Sequence, residues 1–410
     1  MPRHVHQILA TLGYGDAIGN EVLGINRALR GAGFDSEIIV ETADPRLEDL
    51  TVDYRDMAGA IGEEDLLIHH FSLGSRASRM AFALPCRMAL VYHNITPPEY
   101  FLGVHEQLVR QCYHGRRELL AYRTRCDLAL GDSEFNRREL EDLGFPATGV
   151  LPVVPDFSHL DVAGDSRVMT AYDDEWTNIL FVGRLIPNKR PDDLIRFFHA
   201  YQTLYNPRAR LILAGSYGGF DTYLAQLHAL VATLGVRDVH ILGQVTNEEL
   251  TALYDVADVF LCASEHEGFC VPLVEAFHKG VPVVAYASTA VPATMDGGGV
   301  LYATKDPRHV AALINGVLTD GAVEAAVLEA QDAALARLRG QDFSGTLLRF
   351  VDGIFSLPKR APAAVAYDFW RQFALADELE RIRQHRPAAF RALPLSPEDG
   401  LSVADLGHRA

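Results

Sequence analysis

At 410 residues the chain is longer than one ordinary core carries, which predicts two domains of about 150 to 200 residues each. A hydrophobic content of 49% with 9% aromatics is that of a soluble globular protein, and a formal charge of −17 argues against a general nucleic-acid binder, which needs a basic face. No apolar run reaches the roughly 18 residues of a spanning helix and no charged-then-apolar leader opens the sequence, so a cytoplasmic protein is expected. The five cysteines form no CxxC and are odd in number, which predicts neither a disulfide framework nor a zinc site.

The first half alternates strand and helix patterns. Residues 5–12 read as a strand, 20–32 as a helix closed by Gly33, and 37–41 as a second strand. Further strands are expected at 66–71, 87–93, 128–130 and 149–154, with helices near 104–125 and 134–143. Such alternation predicts a parallel sheet covered on both faces, with ligands at the carboxyl ends of its strands. The stretch 161–177 is polar and without pattern, so the domain boundary is placed there. A second alternating unit follows, with strands at 179–182, 209–214, 239–242, 259–262, 281–286 and 300–302. Its helices are expected at 191–205, 223–234, 307–318 and 322–339, and Thr246 with Glu249 forms a capping box for another. The expected domains are 1–158 and 178–355, joined by a linker 159–177 and followed by 356–410, in which 365–386 reads as an amphipathic helix.

The stretch from Ala263 to Ala276 is the most informative. It makes a sharp strand-to-helix corner with Pro272 in the first helical turn, where a missing N–H costs least. Gly268 allows close backbone approach, the free N–H groups of Phe269, Cys270 and Val271 suit a phosphate, and Glu267 and Glu275 bracket that site as acceptors for hydroxyls. Cys262 and Cys270 flank the corner and are expected to be small buried residues. Further back, Gly183-Arg184 and Asn188-Lys189 put two cations past a strand end and ahead of a helix, although a solvated loop gives the same composition. Lysine is rare here, with four in the whole chain: Lys189, Lys279, Lys305 and Lys359.

In the first half, Gly13-Tyr14-Gly15-Asp16 with Gly19 and Asn20 is a near miss to a dinucleotide fingerprint, and Glu41 stands where a ribose-binding acid would be expected. This gives a nicotinamide enzyme some support, but leaves Arg184, Lys189, Glu267 and Glu275 without a role. His93 ends the strand at 87–93, where it either faces a ligand or satisfies loop carbonyls; His69 and His70 are read as packing or acceptor-side residues. Gln244, after Gly243, lies at the level of a nucleobase. Between 105 and 125, Arg110, Arg116, Arg117, Arg123 and Arg125 face only Glu106 and Glu118, which suggests either a solvated helix face or a weak peripheral contact with an anionic membrane.

Glu267 and Glu275, separated by seven residues, with Gly-Phe after the first and Pro272 three before the second, resemble the signature of the retaining GT-B glycosyltransferases of family 4. The resemblance covers roughly residues 1 to 385 and implies two doubly wound Rossmann-like domains facing each other across a cleft, with a terminal helix crossing back to the first. It implies transfer, with retention, from a nucleoside diphosphate sugar to a glycan, lipid-linked or small-molecule acceptor. Arg184 and Lys189 would then hold the diphosphate, Glu267 the donor sugar hydroxyls, Glu275 the ribose and His93 the sugar near the reacting carbon. Gly183, Gln244, Gly268, Phe269, Cys270 and Val271 would complete the donor site, and Gly15, Asp16, Gly19 and Asn20 would close on phosphates and acceptor. No Asp-x-Asp occurs in the sequence, so a metal-independent reaction without cofactor is expected. The leaving phosphate oxygen would take the acceptor's proton, with no covalent role for Glu267. The same motifs would also suit a non-catalytic GT-B subunit that binds nucleotide and organises a partner enzyme.

Overall fold

The computed structural model describes residues 4–57, 60–153 and 156–359. Two compact units are present. The first comprises Met1–Ile95, Arg110–Val154 and Asp342–Ala410, and the second Thr96–Val109 and Pro155–Gln341.

In the first unit the elements run β1 (Val5–Leu12), α1 (Ala17–Gly31), β2 (Ile38–Ala43), β3 (Thr51–Asp53), α2 (Tyr54–Met57), β4 (Leu66–Phe71), α3 (Arg76–Ala83), β5 (Arg87–Tyr92), α4 (Glu106–Ala121, its first turn lying in the second unit), β6 (Leu128–Gly131), α5 (Glu134–Asp142) and β7 (Thr148–Val150). The seven strands form one parallel sheet in the order β3-β2-β1-β4-β5-β6-β7. β4 (LLIHHF) is buried at every position, the pattern expected of a parallel strand covered on both faces. The strand order reverses between β1 and β4, so the loops that follow them border the place where such sheets bind ligands.

The second unit continues with α6 (Ser166–Tyr172), β8 (Thr177–Val182), α7 (Pro191–Leu204), β9 (Ala209–Ala214), α8 (Asp221–Leu234), β10 (Val239–Gly243), α9 (Asn247–Asp255), β11 (Val259–Cys262), α10 (Val271–His278), β12 (Val283–Tyr286), α11 (Val291–Met295), β13 (Val300–Tyr302), α12 (Pro307–Thr319) and α13 (Gly321–Arg339). Its six strands are parallel in the order β10-β9-β8-β11-β12-β13, with the reversal between β8 and β11. The capping box at the start of α9 forms as expected, Thr246 Oγ1 accepting from the Glu249 N–H at 3.2 Å and Glu249 Oε2 from the Thr246 N–H at 2.9 Å.

Three differences from the sequence reading have physical reasons. The expected linker contains helix α6, started by Asp165, whose carboxylate accepts from the N–H groups of Arg167 and Val168, and α6 packs on α9. Helix α3 follows β4 and is held at its start by Ser75 and by Glu41, whose Oε2 accepts from the N–H groups of Arg76 and Ala77 at 3.1 and 3.4 Å. Glu41 Oε2 is thereby engaged in a helix cap at the start of α3. Helix α14 (Phe343–Ser356) groups with the first unit, where Leu347, Val351 and Ile354 pack against Val5, Ile25, Leu66 and Val91. The crossing-back helix expected at 365–386 lies outside the described residues.

Candidate functional site

Two loops leave neighbouring strands at the reversal of the second sheet, Gly183–Arg190 after β8 and Ala263–Cys270 after β11, and hydrogen bonds tie them together. The Glu265 N–H donates to the Asn188 carbonyl at 2.8 Å, and Asn188 Nδ2 donates to the His266 carbonyl at 3.1 Å. A third loop adds Thr289, whose hydroxyl accepts from the Glu267 N–H at 2.9 Å, and Ser288, which donates to the Ser264 carbonyl at 2.6 Å. On the far side, Arg190, in the left-handed region at φ 55°, and Lys305 share the carboxylates of Asp193 and Glu265. The corner is therefore fixed from several directions before any ligand arrives.

Within this frame Lys189 Nζ lies 2.5 Å from Glu267 Oε2, with Glu267 only 6% exposed. Burial disfavours the ammonium, but the Glu267 carboxylate more than offsets it, and the lysine pKa is raised from its ordinary value. Arg184 is different. It is exposed, no carboxylate partners it among the described residues, and its guanidinium carbon lies 5.7 Å from the centre of the Phe220 ring. Desolvation lowers its pKa from the ordinary guanidinium value. The two expected diphosphate cations are thus unequal: Lys189 is paired, and Arg184 keeps a full positive charge for an anion.

The backbone that carries Arg184 is packed too closely for a side chain opposite it. A Cβ on Gly215, at φ +147°, would lie 2.0 Å from the Gly183 carbonyl oxygen, and the Leu185 N–H donates to Ser216 O at 3.0 Å. Gly243 N-terminal to Gln244 joins the same edge, its carbonyl accepting from the Gly215 N–H at 2.8 Å, and Gln244 itself is exposed.

Cys270 starts α10 from the left-handed region at φ 79°, with Val271 and Pro272 in the first turn. Gly268 and Phe269 are half-buried, and the Phe269 carbonyl accepts from Thr294 Oγ1 at 2.5 Å. Glu275 is buried one turn in, and both of its oxygens are engaged: Oε1 by His159 Nε2 at 2.9 Å and Oε2 by the Tyr254 hydroxyl at 2.9 Å. The hydrogen bond to Glu275 raises the His159 pKa above its ordinary value, against the opposing pull of burial. His159, Tyr254 and Thr289 were not singled out by sequence. Asn188 stands beside Lys189 in the motif, whereas His159 and Tyr254 reach Glu275 only through the fold.

In the first unit the expected loop forms around Asp16, which caps α1 by accepting from the Gly19 N–H at 2.6 Å. A Cβ on Gly19 would meet the Gly13 carbonyl oxygen at 2.2 Å, Gly15 takes φ 72°, and Asn20 continues the first turn. His93 stands at the end of β5, but its ring turns inward. The side chain is 2% exposed, its Nε2 lies 2.9 Å from His70 Nδ1 and its Nδ1 lies 3.7 Å from Glu21 Oε2. His70 in turn reaches Gln7 Oε1 at 3.0 Å. Burial lowers His93 to a pKa of about 3 and His70 well below the ordinary value, so both rings are neutral. Burial also raises the nearby acids, Glu21 strongly and Asp132 to about 7.

Of the five arginines expected as a cationic face, Arg116 and Arg125 are used internally and Arg110, Arg117 and Arg123 are exposed. Arg116 binds Glu139 at 2.5 Å and the Ile95 carbonyl at 2.6 Å, and Arg125 is buried on the carbonyls of Phe82, Leu84 and Cys86 at 2.8 to 2.9 Å. Arg123 reaches the carbonyls of Leu120 and Leu143, and Arg117 the Tyr113 hydroxyl. Among the described residues no single helix is long and apolar enough to cross a membrane, and no group of three or more His, Cys, Asp or Glu could hold a metal ion.

These two sheets make the fold GT-B, as comparison with solved structures shows. Sucrose-phosphate synthase from Thermosynechococcus elongatus matches 86% of this chain and 99% of its own at a TM-score of 0.67 and 16% identity. Anabaena HepE, solved in complex with UDP-glucose, matches 86% of this chain and all of its own at 0.66 and 18% identity. Residues 166–332, which contain Arg184, Lys189, Glu267 and Glu275, match the family model for glycosyl transferases group 1. Among curated relatives, the O-antigen chain mannosyltransferase B of Escherichia coli is 29% identical over 57% of this chain and 61% of its own. The mannosylfructose-phosphate synthase of Agrobacterium fabrum is 32% identical over 41% of this chain and 39% of its own. The chain thus spans less than two thirds of the length of these two relatives.

Proposed function

We propose that this protein is a glycosyltransferase that moves a sugar from a nucleoside diphosphate sugar to an acceptor, with retention at the anomeric carbon, as the enzymes of family 4 do. The observation that carries this reading is Arg184: an exposed guanidinium with no carboxylate partner among the described residues, at the strand-order reversal of the unit that matches the family model. In this reading Arg184 meets the diphosphate and stabilises the charge that develops on it as the sugar departs. Glu267, set beside Lys189, meets the sugar hydroxyls, and Glu275 faces the ribose. The α10 N-terminus and Arg184 supply the charge a metal would otherwise provide, so transfer proceeds without one. Two relatives carry mannosyl transfer in their names, which makes mannose-bearing donors the first to try. The acceptor is a glycan, lipid-linked or small-molecule hydroxyl compound, and the reaction is a cytoplasmic one.

The test is a thermal-shift and titration panel of UDP-, GDP- and ADP-sugars, followed by transfer assays with and without chelator. Saturable binding of one nucleotide series, a product whose anomeric proton keeps the donor's configuration, and activity unchanged by chelation are expected. No binding by any series would overturn the reading. Activity abolished by chelator and restored by magnesium or manganese would overturn the metal-independent part.

A further inference from the structure

We infer that Thr96–Val109, a segment the sequence places after β5 of the first unit, forms one wall of the nucleoside diphosphate site in the second unit. The inference rests on the glycosyl-transfer reading above and adds a positioning element to it. The segment belongs to the second unit by its packing, and it touches the proposed donor site in three places.

Its single turn Pro98–Phe101 packs against Pro187–Lys189, the turn that delivers Lys189 to Glu267. The Tyr100 ring lies 6.2 Å from the ring of His266, the residue before Glu267. Phe101, 2% exposed, and His105 then close on Phe220, 1% exposed, with ring centres at 5.9 and 5.0 Å. The guanidinium carbon of Arg184 lies over that same Phe220 ring, 5.7 Å from its centre. His105 is itself fixed, its Nδ1 accepting from the Leu108 N–H at 3.2 Å. A Cβ on Gly219, at φ +80°, would lie 3.3 Å from its Nε2.

The chemistry gives this arrangement a purpose. A carboxylate could also hold Arg184 in place, but it would neutralise the charge a diphosphate needs. An aromatic face positions a guanidinium while leaving its charge available to an anion. Phe220 is that face, and Phe101 and His105 are the positioning residues that keep it from moving.

The experiment uses the full chain and titrates UDP and GDP into wild type, Phe101→Ala, His105→Ala and the conservative Phe101→Leu. Ile354→Ala, in the core of the first unit, controls for loss of stability. Affinity for the preferred nucleotide should fall about tenfold in Phe101→Ala and His105→Ala, the scale of one lost cation–π contact, and recover in Phe101→Leu. Ile354→Ala should lower the melting temperature without changing affinity. Hydrogen exchange across 96–109 should slow when the nucleotide binds wild type. Affinities within twofold of wild type in both alanine variants, or exchange in 96–109 indifferent to nucleotide, would overturn the wall while leaving the donor reading in place. Wild type that binds neither UDP nor GDP while binding ADP would move the same measurements to ADP; wild type that binds none of the three would overturn both.

Discussion

The carboxyl ends of the two sheets treat buried titratable groups in opposite ways. In the first unit, His70 and His93 are kept neutral by burial, and Glu21 and Asp132 are pushed toward their protonated forms. In the second, Lys189, Arg190 and Lys305 are matched to the carboxylates of Glu267, Asp193 and Glu265, and among the described residues no carboxylate pairs with Arg184. One sheet end is a neutral hydrogen-bonded scaffold and the other a charged one with a surplus cation. Two units of one architecture have thus divided the labour, and a diphosphate would find its charge met in the second.

The largest effect should come from breaking the paired charges there. Lys189→Met takes the cation away from the buried Glu267 carboxylate, a change that costs about 3–5 kcal/mol when a buried pair loses one partner. Lys189→Met with Glu267→Leu should recover most of that loss, because an apolar pair of similar volume replaces two charges. Urea unfolding of the single and double variants measures both, and a double variant no more stable than the single would mean the pair is not what holds the loops.

The neutral scaffold should respond to pH instead. Asp132 has its folded pKa raised to about 7, above the ordinary carboxylate value in the unfolded chain. Its burial therefore costs nothing below the unfolded pKa, costs more as pH rises, and reaches its full cost above about 7. Asp132→Asn, which keeps an oxygen for the Asn136 amide, should stabilise the first unit by on the order of 2 kcal/mol at pH 8 and by little at pH 4. Melting curves at the two pH values decide this, and equal effects at both would refute the neutral-scaffold picture. Arg184→Ala should be the mirror case, neutral to folding because nothing acidic loses a partner. It should weaken nucleotide binding about tenfold, equivalent to one charge-assisted contact, as a titration at fixed ionic strength would show.

How much of this was legible follows from separation along the chain. Strands such as β4 and β11 were legible because a parallel strand writes itself as an unbroken apolar run. The α9 capping box was legible because both partners lie within four residues. The corner at Glu267 and the cations at 184 and 189 were legible as motifs, but their pairing was not: Lys189 and Glu267 are 78 residues apart, and His159 and Glu275 are 116 apart. The inward turn of His93 depends on Gln7, Glu21 and His70, which lie on β1, α1 and β4. At 105–125 composition counted charge without showing that Arg116 and Arg125 are spent on internal carbonyls and Glu139, while Arg110, Arg117 and Arg123 stay exposed. Helix α14 was missed because its apolar face packs against residues far back in the chain, Val5, Ile25, Leu66 and Val91 among them.

The smallest expected effect sharpens the comparison most, because it should carry the opposite sign of pH dependence. His159 has its folded pKa raised by Glu275, so its stabilising charge is present below the unfolded histidine value of about 6.5 and is lost as pH rises through the folded pKa. The ring is partly exposed, so solvent screening limits the contribution to a few tenths of a kcal/mol. His159→Gln should therefore destabilise the second unit slightly at pH 6 and not at pH 9, whereas Asp132→Asn acts at high pH in the first. If ribose takes the Glu275 oxygen that His159 now holds, nucleotide should abolish this pH dependence, and the ring's NMR titration should shift back toward that of a free histidine. A titration unchanged by nucleotide would leave Glu275 a structural residue held by His159 and Tyr254, and the ribose would need another partner.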